Sequence, residues 1–250
     1  MPQPLIHLPD TLRNWPWPRT INPHHEECKR ESEAWIESFQ AFSPKAQRAV
    51  NGCNFSLLSS LAWANLNRGY PPPPFHSVST CHLTTHPDGL RIGHDLMHLY
   101  FVFDEHSDLS AALETRNQAS AIMSALRNPS KPRPPNEFIG GRVAQSFWLN
   151  ALRSTPSHPL FHQRFIASFQ RYVDAVVQQS QDRDQGFQRD LQSYLGLRRF
   201  TIGAEPSFAL NAIEMDFPDE IIEHPTIKRL EGLTTDMIIV WNDIVSFDRE

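Results

Sequence analysis

Two clusters of oxygen-bearing side chains stand far apart in this 250-residue sequence, at 104–108 and 242–250, and both have the make-up of a site for hard cations. The first is Asp104-Glu105-His106-Ser107-Asp108, which closes the apolar run His98-Leu99-Tyr100-Phe101-Val102-Phe103. On a helix, Asp104 and Asp108 at i and i+4 share one face with roughly 6 Å between them. Two carboxylates so placed can address the same divalent ions. A charged, solvated final turn is the plain alternative, and an acidic pattern of this kind arises by chance in roughly one chain in ten of this length. What argues against it is that acids at a helix C-terminus oppose the macrodipole, so they sit there at a cost. The second cluster is Asn242-Asp243-Ile244-Val245-Ser246-Phe247-Asp248-Arg249-Glu250. Asn242, Ser246 and Glu250 fall at i, i+4 and i+8, a single ridge of amide, hydroxyl and carboxylate oxygen. Asparagine and serine disfavour helix interiors, so their register calls for a reason beyond propensity. The pattern is expected by accident in roughly one chain in a hundred. Oxygen-only donors suit Mg²⁺ rather than zinc.

The elements that must carry these clusters read as helices. Prolines at 71–74, 129–135, 156–159 and 218–225 punctuate the chain between periodic segments rather than inside them. Helices are predicted over 24–40, 44–51, 54–67, 89–106, 110–127, 140–153, 159–181, 186–200 and from 226 to the end. In 89–106, Ile92, Leu96, Leu99 and Phe103 form one stripe, and in 159–181 Phe161, Phe165, Phe169, Tyr172 and Val176 form another. In 54–67 the stripe is Phe55, Leu58, Ala62 and Leu66. With no repeat, no hairpin signal and no sustained alternation, an all-α bundle in a single domain over 1–250 is expected.

Composition narrows the partners. The net charge is −5 and the basic residues are scattered, which leaves no footprint for nucleic acid. Cys28, Cys53 and Cys81 are odd in number and widely spaced, so neither a disulfide framework nor a thiolate site is expected. No leader pattern and no apolar run near the roughly 20 residues of a membrane span are present, so the chain reads as cytoplasmic. His24, His25, His94 and His98 lack a matching ligand set and read as surface or satisfied core histidines.

On the two motifs together the chain resembles the microbial class I terpene synthases, most closely the fungal sesquiterpene synthases. The second motif matches their N-D-x-x-S-x-x-x-E form at Asn242, Asp243, Ser246 and Glu250. Ala125-Leu126-Arg127-Asn128-Pro129, Val176-Val177-Gln178-Gln179 and Arg198-Arg199-x-Thr201-x-Gly203 look like the same family, and the likeness runs from about Trp15 to Glu250. Its details look most like the branch making protoilludene-type products by 1,11-closure of farnesyl diphosphate. The resemblance implies a helical bundle around a central cavity and a cluster of three Mg²⁺ ions holding the substrate diphosphate. Asp104, and with it Asp108, would serve one wall, and Asn242, Ser246 and Glu250 the other. Arg199 is the implied diphosphate-sensing residue, with Arg198 the runner-up. Gly203 would mark a helix break. Phe101 and Tyr100 are candidate cavity walls for a carbocation, with Phe55, Trp63 and Phe208 as further liners. Asp104, Arg199 and Phe101 thus form the expected catalytic set.

The family continues beyond the second motif with further helices, carrying an arginine and a tyrosine used on the diphosphate, whereas this sequence stops at Glu250. Lacking those C-terminal helices, the bundle is expected to stand open on one side and to expose apolar surface. The expected activity is conversion of farnesyl diphosphate to a cyclic sesquiterpene, with a homodimer admitted; an inactive truncated synthase is the alternative. A chain-elongating prenyl transferase, which carries two aspartate-rich motifs, fits less well because of Asn242 to Glu250.

Overall fold

The computed structural model describes residues 13–66, Trp15 and Trp17 excepted, together with 88–213 and 217–246. Among these residues every regular element is a helix. They are α1 (His25–Ser38), α2 (Pro44–Cys53), α3 (Phe55–Ala62), α4 (Asp88–Ser107), α5 (Ala112–Arg127), α6 (Ile139–Ser154), α7 (Pro159–Gln185), α8 (Leu191–Thr201), α9 (Ala204–Ala209), α10 (Asp219–Ile222) and α11 (Pro225–Ser246), with a 3₁₀ turn at Leu210–Ala212. Local chemistry sets several boundaries. Ser43 accepts from the Ala46 N–H ahead of Pro44, and Asp190 accepts from the Ser193 N–H at 2.8 Å. Gly186 closes α7 in the left-handed region (φ +61°), with the Phe187 N–H bonded back to the Asp182 carbonyl. The helix predicted from 186 therefore begins only at Leu191, because Gly186 belongs to the end of the preceding one.

α4 runs through the middle of the bundle, packed by α1, α3, α5 and α6, while α7 lies against α5 and carries α8 and α9. The predicted stripes of α4 and α7 are core: Ile92, Leu96, Leu99, Phe103, Phe161, Phe165, Phe169 and Tyr172 are all buried. Trp148 stacks on Phe165 with 4.9 Å between centroids, and Phe165, Phe169 and Tyr172 continue the aromatic column along α7 to Phe103 and Tyr100 of α4. Edge and offset contacts of this kind add to the burial each ring already contributes.

α3 departs from its expected stripe. Leu58 and Ala62 are exposed, and the buried face is Ser56, Ser59, Ser60 and, just past the helix, Trp63. The reason is close approach to α4: a Cβ at Gly93 would lie 2.5 Å from the Trp63 ring. Serines fit such a crossing because they are small and find partners, Ser59 on the Phe55 and Gly93 carbonyls and Ser60 on His25 Nδ1 and His94 Nε2. Next to them Arg91 joins Glu31 to buried Asp95, which also accepts from Ser32, tying α1 to α4.

The histidine expectation needs one correction. His94 is bonded through Nε2, but neither ring nitrogen of buried His98 has a partner among the described residues. Desolvation, with the charge of Arg91 adding to it, pushes His98 down to about 4, and desolvation with His25 and His98 pushes His94 down to about 3. Cys28 is buried and Cys53 exposed, while Cys81 lies outside the described residues. No helix among the described residues is long and apolar enough to cross a membrane.

Two predictions follow from this packing. In an open helix Gly93→Ala would gain about 1 kcal/mol from propensity; here it should lose about 1–3 kcal/mol by overpacking against Trp63, read from the urea midpoint. His98, with its folded pKa lowered, contributes stability that is present above the unfolded value near 6.5 and lost as pH falls toward about 4. His98→Leu should shrink the difference in unfolding free energy between pH 7 and pH 5 by about 2 kcal/mol; an unaltered difference would show that His98 takes up its proton freely in the folded chain.

Candidate metal centre

The first motif ends α4 at the surface of the bundle. Asp104 and Asp108 both reach solvent, and the Asp108 N–H bonds to the Asp104 carbonyl at 2.9 Å, so the last helical turn carries both acids. Protein on the remaining sides desolvates Asp104, and together with the charges of Asp108 and Glu105 this pushes its carboxyl up to about 6, with Arg198 pulling the other way. The surplus negative charge sits where the helix dipole is also negative. Arg183 of α7 offsets that cost: its guanidinium donates to the Ser107 and Ser110 carbonyls at 2.8 Å each and lies 3.8 Å from Asp108. No local pattern in the sequence pointed to Arg183, because it acts from a helix 76 residues further along.

The second motif lies on α11, which is held to the bundle by α8, α9 and α10. Asn242 is exposed and Ser246 half-buried on the same face. Opposite them, Tyr194 and Arg198 stand one turn apart on α8. The Arg198 Nη2 donates to Asn242 Oδ1 at 2.6 Å, and its Nε and Nη2 donate to Asp243 Oδ1 at 3.2 and 3.1 Å. The Tyr194 hydroxyl donates to the other Asp243 oxygen at 2.7 Å. Arg199 turns the other way and forks onto Asp236 at 2.7 and 2.9 Å on the exposed side of the helix pair. Of the two arginines singled out in the sequence, it is Arg198 and not Arg199 that the fold brings to the second motif. Consecutive helical residues point about 100° apart, so only one can face the motif, and that one is Arg198. It bonds Asn242 and Asp243 and its charge also acts on Asp104, so the mouth of interest is the region where the two motifs come within electrostatic reach of one guanidinium.

Beneath this mouth lies an aromatic floor. Tyr172 is buried, and its hydroxyl is pushed far up by desolvation and by the fields of Asp104 and Asp108. Tyr100 is stacked parallel to Phe169 at 5.8 Å and edge-on to Tyr172 at 5.0 Å. Its hydroxyl donates to the Gly203 carbonyl at 2.9 Å, which also accepts from Ser207 Oγ. Gly203, at φ +74°, is the break between α8 and α9, and a Cβ there would lie 3.2 Å from the Tyr100 ring. Phe101 takes a different course, stacking on Phe55 of α3 with centroids 3.3 Å apart, while Tyr100 faces α7 and α9. The two wall candidates therefore face different neighbours, Phe101 toward α3 and Tyr100 toward α7 and α9.

Glu250 lies outside the described residues, as do 247–249, so the ridge is described only through Asn242 and Ser246. Among the described residues no three His, Cys, Asp or Glu side chains gather into a ready-made ligand set. A cation here depends on the amide and hydroxyl oxygens of α11 as well as on Asp104, a donor set fit for a hard ion. Two outer recesses, of about 420 and 390 Å³, are lined from α1, α5, α6 and the segment before α6, and neither includes a residue of the motifs.

A family model described as "Terpene synthase family 2, C-terminal metal binding" matches residues 95–250. The Delta(6)-protoilludene synthase of Stereum hirsutum is 51% identical over 98% of this chain and 61% of its own length. That of Armillaria ostoyae is 46% identical over 98% of this chain and 65% of its own length. The chain thus spans less than two thirds of these relatives. A crystal structure of hedycaryol synthase superposes with a TM-score of 0.76 at 19% identity, covering 98% of this chain and 73% of the other, a likeness of fold. The matched stretch contains the α4 acids, the α8 arginines and the α11 ridge, and the chain belongs to the terpene synthase family.

Proposed function

We propose that the chain is a Mg²⁺-dependent sesquiterpene synthase that ionises farnesyl diphosphate and closes the resulting cation, by 1,11-closure, into a cyclic sesquiterpene. The observation that carries this reading is the position of Arg198, bonded to Asn242 and Asp243 while its charge acts on Asp104. An acidic helix end and an oxygen ridge that share one mouth are what a cation-clamped diphosphate requires. The protoilludene synthases among its relatives support the choice of product class.

In this reading Asp104, Asp108, Asn242 and Ser246 hold the ions, joined by Glu250. Mg²⁺ bound there supplies the positive charge that stabilises the departing diphosphate. Arg198 is the guanidinium that reaches phosphate oxygens, while Arg199, held by Asp236, is assigned no phosphate. The positive charge of Arg198 favours an anion here, and the crowded negative charges of Asp104, Glu105 and Asp108 favour its counter-ions. Tyr100, Phe169 and Tyr172 form the aromatic cluster whose rings would stabilise a carbocation, with the Tyr100 hydroxyl engaged by Gly203. A second reading, ligand binding without turnover, is favoured by the apolar residues Leu230, Leu233, Met237, Val240 and Val245 that α11 exposes, because water entering there would quench a cation.

Incubation with farnesyl diphosphate and Mg²⁺, followed by headspace analysis, separates the two readings: a cyclic hydrocarbon or alcohol supports the first, and substrate binding without volatile product supports the second. Asp104→Asn and Asn242→Ala should each lower turnover by at least about a hundredfold, as expected for lost electrostatic stabilisation of a leaving group. Helix content measured by circular dichroism should stay unchanged. Wild-type turnover in either variant would remove that residue from the metal site.

A further inference from the structure

Asp243 and Tyr194 have no part in the ligand ridge, yet together with Arg198 they form a directed network beside it. Asp243 stands one residue from Asn242 and is half-buried against α8, where one carboxylate oxygen takes the Tyr194 hydroxyl and the other takes both the Nε and Nη2 of Arg198. So fixed from two sides, the carboxylate sets where the guanidinium lies, and the place it sets is on Asn242 Oδ1, at 2.6 Å. That amide oxygen is the only atom through which the Asn242 side chain can ligate a cation, since it has no other acceptor. A divalent ion coordinated to it would sit at about 2 Å. The ion and the guanidinium would then face each other across a single oxygen atom, like charges with no water between them.

We propose that Asp243, with Tyr194 behind it, is a positioning residue that parks Arg198 on Asn242 in the metal-free protein, so that Arg198 and the ion at the second motif exclude one another. The inference rests on the reading of Asn242 as a metal ligand. Its consequence is an ordered site: the guanidinium keeps the ridge neutralised until an ion arrives, and the arriving ion displaces it from the amide toward the mouth where Asp104 stands. Because Asp243 keeps its hold on Nε, the displacement is a pivot about that bond rather than a release of the side chain.

The test is a titration of the full chain with Mn²⁺ alone, with free ion read by its electron paramagnetic resonance signal. Arg198→Met should bind Mn²⁺ about tenfold more tightly than wild type, the equivalent of one charge-assisted hydrogen bond no longer in competition. Asp243→Asn decides between parking and simple electrostatics. Removing a negative charge beside a cation site should weaken binding, whereas unpinning Arg198 should strengthen it, and we expect it to strengthen. Arg199→Met, which removes a charge paired to Asp236 on the outer side, should leave the affinity unchanged, and Arg198→Met combined with Asn242→Ala should abolish the gain. Weaker or equal binding in Asp243→Asn, or a gain in Arg199→Met as large as in Arg198→Met, overturns the parking role while leaving the metal site standing. Failure of wild type and all variants to bind Mn²⁺ removes the metal reading and this inference with it.

Discussion

A guanidinium between two helices is the contact on which the arrangement of this site depends. α11 packs mainly against α8, α9 and α10, and most of its described apolar residues face outward. Its buried anchors are few, Thr235 and Ile239. What fixes its rotation about its own axis, and therefore the direction of Asn242 and Ser246, is the set of directed bonds from Tyr194 and Arg198 to Asp243 and Asn242, with Arg199 to Asp236 one turn and a half earlier. Hydrophobic burial holds a helix down without choosing its register strongly; charge-assisted hydrogen bonds with fork geometry do choose it.

The opposite wall is set by different means. Asp104 and Asp108 are placed by a helix sunk in the core, whose next residue inward, Phe103, is fully buried. The rigidity of that wall comes from the aromatic column of α7 and from the tight crossing with α3 at Gly93. Arg183 then caps the exposed carbonyls that the acids leave uncompensated. One wall is thus held by packing and the other by polar bonds, and only the second can be rearranged by a charge entering the mouth.

Much of this was legible in the sequence, and the exceptions share a cause. The long helices announced themselves through aromatic and aliphatic spacing, as in Phe161 to Tyr172, because a core face of 3.6-residue period is a local property. The spacing within the two motifs is local too, so the shared helix face of Asn242 and Ser246 and the shared last turn of Asp104 and Asp108 could be read ahead. What stayed hidden depends on partners far along the chain: which of Arg198 and Arg199 faces inward, that Asp243 is a hinge post rather than a bystander, that Arg183 caps α4, and that serines line α3. The short α9 and α10 escaped too, being fixed by Gly203 and Pro218 rather than by periodicity. Phe101 and Tyr100 both stand about one turn before Asp104 in the sequence, whereas the helix sends them to different neighbours.

Position 203 illustrates how such a site constrains its own residues. Glycine is needed there once for the left-handed backbone and again for the Tyr100 ring that lies against it. A smaller residue at 100 would clear the space yet leave the backbone demand intact, and it would strip the Gly203 carbonyl of one of its two donors. Replacing Tyr100 would thus remove one obstacle to a side chain at Gly203 and leave the other, whereas a side chain introduced at Gly203 beside Tyr100 meets both at once.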